Sequence, residues 1–374
     1  MNKKNSIERI CHITSVHPRY DIRIFEKECK SLSKYYDVQL VVADGLENEI
    51  KNGINIIDVG KEKNRFQRML ISTWKIYKVL KTIDALVFHF HDPELIPVGI
   101  LLKFRGKKII FDVHEDIYEQ IKTKDWVASI ILLLLLPLVK IINKIIAFNF
   151  NLIFAELSYK KKYSKRKNKY QIDVLNYPQT EILKPFINCN RTENGIIYIG
   201  SITYLRGLDV ILDSLMILKQ KKIDFTMHFV GTLQEEIDWE YYKILRDNVI
   251  FYGYLDIRKG YEISTKCKVG LAILKPIGNY IESIPTKIFE YMSLKLPFIA
   301  SDFKAWRNYF PENVNNIYVN PNSPIELSEA LINLLGNNKR VNQLDDNRRK
   351  VAEQKFSWES EEKKLFMLYD NILT

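Results

Sequence analysis

The sequence predicts an α/β protein with two doubly wound, mostly parallel sheets, one in each half of the chain. With 374 residues that are 47% hydrophobic, the chain can bury two cores, since a single core seldom grows beyond about 250–300 residues. Apolar runs typical of buried strands alternate with longer runs typical of helices. The alternation pauses in the polar stretch 188–194 and then restarts. We therefore expect domains at 1–185 and 190–355, followed by a last helix at 356–374.

Each half has its own series of strands. In the first half they are predicted at 9–16, 38–43, 54–59, 85–90 and 108–113, with helices at 22–35 and 66–81. In the second half, strands are predicted at 196–200, 226–231, 249–254, 269–274 and 298–301. The last helix has Leu365, Leu368, Tyr369 and Ile372 along one side, as in an amphipathic helix.

The formal net charge of +11 favours a polyanionic partner. A nucleic acid and an anionic bilayer both satisfy that condition, so charge alone does not choose between them. The four cysteines, Cys11, Cys29, Cys189 and Cys267, lie far apart without metal-ligand spacing, and the amino terminus lacks an apolar signal core. These observations predict a cytoplasmic location.

The segment from 126 to 155 helps to choose between a nucleic acid and a membrane as the polyanionic partner. Residues 127–139 are almost entirely apolar, but Pro137 and the lysines after it interrupt the run before the ~20 residues that a membrane-spanning helix needs. Trp126 at one edge and the basic stretch 160–169 suit an element that lies in the interface of an anionic membrane. We expect peripheral attachment; a buried crossover helix followed by a basic surface is the alternative, and a transmembrane helix is a third possibility.

Two acids separated by seven residues, Glu282 and Glu290, mark a candidate ligand site. Pro285 is favoured in a first turn, so a helix is predicted to open near Thr286. Free N–H groups at a helix start attract phosphate, and the two carboxylates would accept hydrogen bonds from hydroxyls on either side. The pattern predicts a sugar-nucleotide site; a solvated glutamate and an ordinary helix glutamate are the alternative.

A glycine-containing loop follows the first strand of the second half. In Gly200-Ser-Ile-Thr-Tyr-Leu-Arg206-Gly207, the glycines allow the backbone to approach a ligand closely, and Arg206 offers a planar fork of donors that matches phosphate oxygens. Arg206 is therefore the candidate diphosphate clamp; a solvated arginine in a turn is the alternative.

These motifs resemble glycosyltransferase family four, and the resemblance covers nearly the whole chain. The family pattern Pro-Thr-Lys-x-Phe-Glu-Tyr-Met begins here at Pro285. The resemblance implies the GT-B architecture, two Rossmann-like domains facing across a cleft, with the last helix returning to the first domain. It also implies that Glu282 contacts the donor sugar and Glu290 the nucleotide ribose. The expected nucleotide-binding set is Gly200, Ser201, Pro285, Thr286, Lys287 and Glu290.

The family pattern Gly-Arg-x-x-x-x-Lys-Gly is altered in this chain. Ser201 stands in place of the arginine and Arg206 in place of the lysine, so one of the two usual cations is absent. Lys287 or Lys275 could supply the second phosphate contact, and the pattern does not choose between them.

Two histidine clusters end consecutive strands of the first half. His91 lies in Phe-His-Phe-His-Asp-Pro-Glu and His114 in Phe-Asp-Val-His-Glu-Asp, and strand ends of an open parallel sheet face the ligand crevice. The resemblance assigns His114 to the donor sugar, near the reacting carbon, whereas His91, Asp92 and Glu94 are expected to shape the loop. A satisfied histidine at a strand end is the alternative for both histidines.

The loop after the first strand supplies candidate acceptor residues. Asp21 can cap the helix that follows, while His17, Arg19 and Arg23 place donors where an anionic acceptor phosphate would need them. The loop is similar to that of family members that build bacterial surface polysaccharides such as capsule and O-antigen. This resemblance implies a lipid-linked, polyprenyl diphosphate saccharide as acceptor, used at the inner face of the cytoplasmic membrane.

The expected reaction needs no metal and no cofactor. The sequence has no Asp-x-Asp with apolar flanks and no His or Cys ligand set, so Arg206 and the helix start would neutralise the leaving diphosphate. The resemblance implies retention of the anomeric configuration, with His114, Glu282 and Arg206 at the centre of catalysis. A UDP-sugar is favoured over a GDP-sugar as donor.

Two other functions fit parts of the sequence. A non-hydrolysing nucleotide-sugar epimerase shares the architecture and would use His91, His114 and their acidic neighbours as proton shuttles; it would convert donor without any acceptor. A non-catalytic basic adaptor for membranes or nucleic acid also fits, because fold alone never excludes it. The 21 Tyr and 19 Phe lie more often at strand-core spacings than in basic exposed clusters that stack bases, so no nucleic-acid partner is expected.

Overall fold

The computed structural model describes residues 7–114, 129–163, 169–187, 191, 193–311, 316–336 and 345–374, with the backbone alone for 129–136 and 345–347. The chain divides into two compact units, Met1–Asn176 with Trp358–Thr374, and Tyr177–Ser357. It enters the second unit at Tyr177, earlier than the predicted boundary at 185–190. The reason is packing, because the ring of Tyr177 lies 4.8 Å from that of Phe289 and 5.5 Å from that of Phe356.

Eight strands form the sheet of the first unit: β1 Arg9–Ile13, β2 Asp37–Val42, β3 Glu49–Lys51, β4 Ile54–Asp58, β5 Val87–Phe90, β6 Lys108–Val113, β7 Asn151–Phe154 and β8 Gln171–Asp173. Their order is β3-β4-β2-β1-β5-β6-β7-β8, and every pairing is parallel except that of β3 with β4. Strand β5 is buried along its whole length, as expected when helices cover both faces of a parallel sheet.

The helices of the first unit up to Asn176 are α1 Ile22–Cys29 continued by Lys30–Leu32, α2 Arg65–Gln67 continued by Arg68–Ser72 and Thr73–Leu80, α3 Ile96–Phe104, α4 Ser129–Asn149 and α5 Leu157–Lys160. A short turn, Pro93–Leu95, precedes α3. Helices α2, α3 and α4 pack on one face of the sheet, where Ile76, Leu102 and Ile146 share a core with alternate strand residues such as Cys11. Helix α1 packs on the other face, around Ile10 and Phe25.

Six strands form the sheet of the second unit: β9 Gly195–Ile199, β10 Thr226–Val230, β11 Val249–Phe251, β12 Cys267–Ala272, β13 Phe298–Ser301 and β14 Ile317–Val319. All pairings are parallel, in the order β11-β10-β9-β12-β13-β14. The α-helices are α6 Thr180–Leu183, α7 Leu208–Gln220, α8 Ile257–Ser264, α9 Thr286–Ser293, α10 Lys304–Tyr309, α11 Pro324–Leu335 and α12 Asp345–Lys355. Single turns lie at Lys184–Phe186, Tyr204–Arg206, Lys243–Leu245 and Gly278–Ile281.

The last helix, α13 Trp358–Leu373, belongs to the first unit. The indole Nε1 of Trp358 donates to Oγ of Ser31 at 2.9 Å, and the apolar side of the helix enters the core around α1 through Leu365 and Tyr369. The predicted fold class, with two doubly wound parallel sheets and a last helix that returns to the first unit, is confirmed.

Helix α4 accounts for most of the segment predicted to lie in a membrane interface. It runs without a break through Pro137 and crosses over from β6 to β7. Its inner side is buried, as at Ile146, whereas its outer side exposes four apolar residues, Leu138, Ile141, Ile145 and Phe148. The helix therefore combines a buried crossover with an apolar outer surface.

The two ends of that predicted segment do not belong to helix α4. Residues 126–128 lie outside the described residues, and the part after residue 150 is strand β7, which pairs with β6 and β8. Among the helices that the structure describes, none has both the length and the apolar character needed to cross a bilayer.

Candidate functional site

The loop after β9 holds Arg206 at the start of α7. Gly200 and Gly207 have positive φ angles of 128° and 79°, which glycine adopts readily. A Cβ on Gly207 would lie 2.7 Å from Cγ2 of Ile273, so a larger residue would collide with Ile273, which directly follows β12. Oγ1 of Thr203 accepts a hydrogen bond from the backbone N–H of Arg206 at 3.2 Å, which fixes the turn.

Arg206 and Lys287 converge beside Gly200. The position that a Cβ on Gly200 would take lies 3.3 Å from Nζ of Lys287 and 3.9 Å from Nη1 of Arg206. Lys287 projects from the first turn of α9, and its Nζ lies 3.3 Å from the centroid of the Tyr198 ring. The guanidinium of Arg206 lies 5.8 Å from the centroid of the Tyr280 ring. Two cations from different elements therefore meet at one glycine, each beside an aromatic ring.

Lys287 is buried and makes no hydrogen bond with its ammonium group among the described residues. Its exposed fraction is 6%. Burial, and then the charge of Arg206, lower the pKa of Lys287 well below its ordinary value, whereas Glu290 acts in the opposite direction. A buried unpaired ammonium is unfavourable, and so is a like charge nearby. An anion bound between Lys287 and Arg206 would relieve both penalties.

Of the two lysines considered for the missing cation, the structure favours Lys287. Nζ of Lys275 donates to Oδ2 of Asp209 at 2.5 Å and is therefore already paired. Ser201, which replaces the arginine of the family pattern, carries no charge, and its backbone oxygen accepts from the hydroxyl of Tyr198 at 3.1 Å. The second cation thus comes from α9, a different element from the loop in which the family pattern holds it.

The two predicted carboxylates lie on either side of the start of α9. The helix begins at Thr286, with Pro285 as its N-cap residue, as the sequence predicts. Glu282 is exposed in the preceding loop. Glu290 is half-buried in the second turn of the helix. It lies near Tyr261, whose pKa is raised well above its ordinary value, mainly by burial and then by the charge of Glu290. The predicted order of loop acid, helix start and helix acid is therefore present.

In the first unit, His114 and His17 meet where β6 and β1 end. Their Nε2 atoms are 2.9 Å apart. Nδ1 of His114 lies 3.3 Å from Oδ2 of Asp112, and Nε2 of His17 lies 3.4 Å from Oδ1 of Asp92. The structure thus brings His114 and the predicted acceptor loop together, with a half-buried imidazole pair flanked by carboxylates.

The other three predicted acceptor residues are engaged within the first unit. The carboxylate of Asp21 accepts from the backbone N–H groups of Arg23 and Ile24 and caps α1. Arg19 is paired with Asp44 at 2.8 and 2.7 Å. Both arginines are at most 5% exposed, so we retain only His17 as an acceptor candidate.

Arg23 is bonded on every side within the first unit. Its Nε and Nη2 donate to the two oxygens of Asp112 at 2.7 and 2.8 Å, and its Nη1 donates to the backbone oxygen of Val174 at 3.1 Å. Its Nη2 also lies 3.2 Å from Oε1 of Glu28. Asp112 and Val174 are distant from Arg23 in the chain, which is why the local pattern around the loop did not reveal them.

Asp92 and Glu94 shape the loop after β1. Asp92 accepts from the hydroxyl of Thr14 at 2.8 Å and from the backbone N–H of Ser15 at 2.6 Å. Glu94 accepts from the hydroxyl of Ser15 at 2.8 Å and is paired with Arg68 of α2 at 3.1 Å. The loop that carries His17 is therefore tied to the region after β5 and to α2.

Behind Asp112 lies a buried histidine chain that the sequence reasoning missed. An ionised carboxylate only accepts, so Nδ1 of His91 donates to Asp112 at 3.3 Å. Nε2 of His91 then accepts from Nδ1 of His12 at 3.0 Å. Nε2 of His12 accepts from the hydroxyl of Tyr369 at 3.2 Å, and that hydroxyl accepts from Nδ1 of His89 at 2.9 Å. Burial lowers the pKa of all three histidines, which agrees with the neutral rings that this chain requires.

Glu28 lies beside this histidine chain, and the group includes four side chains of types that bind metals. Oε2 of Glu28 is 3.8 Å from Nδ1 of His12 and 3.9 Å from the nearest ring nitrogens of His89 and His91, and the four ligand atoms lie within 4.8 Å of one another. The facing nitrogens of His12 and His91 are joined to each other, however, and a metal would have to replace that hydrogen bond. The spacing His-x-His in a strand, which points two rings to one face, was the signal available in the sequence.

Known proteins are similar to this chain in sequence. Residues 179–351 match the family model described as "Glycosyl transferases group 1". An uncharacterized glycosyltransferase of Methanocaldococcus jannaschii is 20% identical over 208 residues, which are 54% of this chain and 51% of that protein. The match thus spans about half the length of that relative.

Solved structures are similar along nearly the whole chain. Sucrose-phosphate synthase from Thermosynechococcus elongatus has a TM-score of 0.73 at 13% identity, with 98% of this chain and 99% of that chain covered. Anabaena HepE in complex with UDP-glucose has a TM-score of 0.70 at 13% identity, with 97% and 99% covered. At these identities the likeness shows the fold, which is GT-B with two Rossmann-like domains.

Proposed function

We propose that this chain is a retaining, metal-independent glycosyltransferase that uses a nucleotide-sugar donor, in agreement with the match of residues 179–351 to the family model for glycosyl transferases group 1. The observation that carries the proposal is the pair of cations beside Gly200, one of which is buried and unpaired. A diphosphate bound there would give the ammonium group of Lys287 a charged hydrogen-bond partner. Arg206 would supply two parallel donors to the same group.

Catalysis follows from charge development at the leaving group. As the bond between the anomeric carbon and the diphosphate breaks, negative charge grows on the phosphate oxygen and the sugar gains oxocarbenium character. Cations that are already fixed in place stabilise that charge without reorganising at the moment of reaction. Lys287 and Arg206 can therefore do the work that a metal does in other transferases.

The rest of the donor is assigned from the family resemblance. Glu290 is proposed to accept from the ribose hydroxyls and Glu282 from hydroxyls of the transferred sugar, with His114 as a further donor-sugar contact. The complexes of HepE with UDP and with UDP-glucose support a UDP-sugar as the first donor to test. Retention would follow if the acceptor attacks on the face that the diphosphate leaves.

The acceptor is proposed to be a lipid-linked saccharide in bacterial surface polysaccharide synthesis, used at the inner face of the cytoplasmic membrane. The exposed apolar side of α4, with Lys140 and Lys144 on the same helix, supports peripheral membrane attachment. His17 is the remaining candidate for a contact to the acceptor phosphate.

The epimerase alternative loses support from the burial of His91. Its exposed fraction is 1%, and both of its ring nitrogens are bonded, to His12 and to Asp112. A proton shuttle must reach the sugar, and His91 as it stands does not reach solvent. An epimer formed from donor alone would restore this alternative.

The proposal is tested by calorimetric titration of the purified protein with UDP and GDP, in EDTA and in magnesium. We expect UDP binding that does not change with magnesium and that falls about tenfold or more in Arg206→Gln, since a hydrogen bond to a charged group contributes about 1.5–3 kcal/mol. Arg258→Gln is the matched control, because Arg258 is an exposed arginine of the same unit. Binding that requires magnesium, or equal affinities for both variants, would refute the assignment.

A further inference from the structure

Helix α2 exposes an unusual amount of apolar surface. Five large apolar side chains within nine residues point to solvent: Phe66, Met69, Leu70, Ile71 and Trp74. Phe66 is 72% exposed, Leu70 58% and Trp74 55%. The opposite side of the helix fills the core with Ile76 and Leu80, so the outer residues are not needed for packing. A cluster of this kind marks an interaction surface more often than chance exposure does.

The two neighbouring helices continue this surface. Helices α2, α3 and α4 cover the same face of the sheet, and α3 exposes Leu101 and Phe104, the latter by 85%. Nζ of Lys103 on α3 lies 5.8 Å from the ring centroid of Phe148 on α4. The guanidinium of Arg105 after α3 lies 5.3 Å from the ring of Tyr77 on α2. We call the outer side of α2, α3 and α4 the basic apolar face.

The three helices themselves carry charges of one sign; the acids that pair with two of their cations, Glu94 with Arg68 and Glu62 with Lys75, lie outside the helices. The three helices contain no aspartate or glutamate and seven cationic residues, Arg65, Arg68, Lys75, Lys78, Lys103, Lys140 and Lys144. Nζ of Lys78 lies 5.5 Å from the centroid of the Trp74 ring. Apolar side chains bordered by long cationic ones suit the boundary between acyl chains and anionic headgroups. A second copy of the same face would bring like charges together, which disfavours self-association as the explanation.

We propose that the basic apolar face docks on an anionic lipid bilayer, with Phe66, Leu70 and Trp74 of α2 entering the interface. The element is tied to the predicted acceptor loop, because Arg68 of α2 is paired with Glu94, which accepts from Ser15. Docking at α2 would therefore hold the loop with His17 near the membrane that carries a lipid-linked acceptor. This last step rests on the proposed function; the docking itself does not.

The test measures binding of the full chain to vesicles of phosphatidylcholine alone and of phosphatidylcholine with phosphatidylglycerol. We expect binding to the anionic vesicles only, and a loss of about tenfold or more in Phe66→Ser/Leu70→Ser/Trp74→Ser, since each side chain removes apolar surface from the contact. The control is Tyr241→Ser/Ile244→Ser/Tyr254→Ser, three exposed apolar residues of the second unit. Thermal unfolding should be nearly unchanged in both triple variants because all six side chains are exposed.

A second readout locates the inserted residue. Brominated lipids in anionic vesicles should quench part of the tryptophan fluorescence, and Trp74→Phe should remove that part while leaving vesicle affinity within about twofold, since the ring remains apolar. Lys81 follows α2, and its Nζ lies 5.6 Å from the centroid of the Tyr77 ring. Arg65→Gln/Lys78→Gln/Lys81→Gln should weaken binding to anionic vesicles, whereas Lys221→Gln/Lys222→Gln/Lys243→Gln in the second unit should not.

Three outcomes would overturn the docking surface. The first is that the wild-type chain does not bind anionic vesicles. The second is that the triple α2 variant binds them as tightly as wild type does. The third is a wild-type dimer that the α2 variant converts to monomer, which would make the face an interface between copies. UDP titration of the same samples distinguishes the two proposals. If the wild-type chain does not bind UDP, the proposed donor site is refuted, but the result of the vesicle experiment still holds.

Discussion

Among the residues that the structure describes, buried positive charges differ in the partners that surround them. Arg19 and Arg23 are buried against Asp44 and Asp112, which stabilise the first unit. Lys287 is buried to a similar extent but has no hydrogen-bond partner among the described residues. Local spacing predicted Arg206 as a phosphate contact and left Lys287 and Lys275 as alternatives for the second one. It could not separate them from Arg19 and Arg23, because burial and distant partners do not show in a local pattern.

Lys287→Met should stabilise the free protein and weaken UDP binding. Removing an unpaired buried ammonium should raise the free energy of unfolding by about 1 kcal/mol or more, while UDP affinity falls about tenfold or more through the lost charged hydrogen bond. Urea unfolding and calorimetric titration measure the two effects.

The stability difference between wild type and Lys287→Met should also depend on pH, in a direction that can be measured. Burial lowers the pKa of Lys287, so the unfolded chain holds this proton more tightly than the folded protein does. Wild-type stability should therefore rise relative to Lys287→Met as pH increases from the lowered pKa toward the ordinary lysine value. As a control, Lys268→Met should lower the free energy of unfolding relative to wild type, because it removes the buried hydrogen bond from Nζ of Lys268 to Asn194 at 2.8 Å. Equal effects in both variants would contradict the unpaired state of Lys287.

At the scale of elements, the sequence predicts ten of the fourteen described strands, and it misses β3, β7, β8 and β14. Strands β1, β2, β5, β6, β9 and β12 are apolar runs between turn signals, and each was predicted to within a few residues. Strands β3, β8 and β14 have three residues each, too few for a periodic signal; β11 is as short but was predicted because aromatic residues continue its run to Tyr254. Strand β7 was missed because its apolar residues continue the apolar run of α4 along the chain, so the two elements read as one segment.

The attachment of α13 offers a test at this scale. In Tyr369→Phe the ring still fills the core, but the hydroxyl that joins His89 to His12 is gone. Leaving a buried donor and acceptor unpaired should cost about 1–3 kcal/mol of unfolding free energy. Tyr36→Phe is the control, since its hydroxyl bonds Asp370 at the surface, at 3.0 Å, and should change stability by less than about 0.5 kcal/mol. Urea unfolding that shows the same small loss for both would disprove the buried histidine chain.

For the whole molecule, length and the restart of the strand pattern predicted two sheets, and the return of the last helix came from family resemblance. The connectivity matters because the first unit is discontinuous, being made of residues up to Asn176 and from Trp358 onward. Its core around α1 includes Trp358, Leu365 and Tyr369 from the last helix. Which residues close that core could not be read from local patterns, since the contacts join the two ends of the chain.

Ending the chain at Ser357 should unfold the first unit selectively. Loss of α13 exposes the apolar core around α1, so amide hydrogen exchange in β1 and β2 should become fast, while β9 and β12 stay protected. The second unit should still be stabilised by UDP if the donor site is as proposed. A chain that ends at Leu373 is the control. Continued protection of β1 and β2 in the shorter chain would show that the first unit closes without its last helix.

The discontinuity also sets an order of events during synthesis on the ribosome. Domains usually fold in turn from the amino terminus as the chain emerges, but here the earlier-made sheet lacks Trp358 and Tyr369 until nearly the whole chain has been translated. The continuous unit, Tyr177–Ser357, can finish first. Until then, the nascent amino-terminal half presents an open apolar core to chaperones and proteases, and it is completed only when the segment from Trp358 onward has emerged.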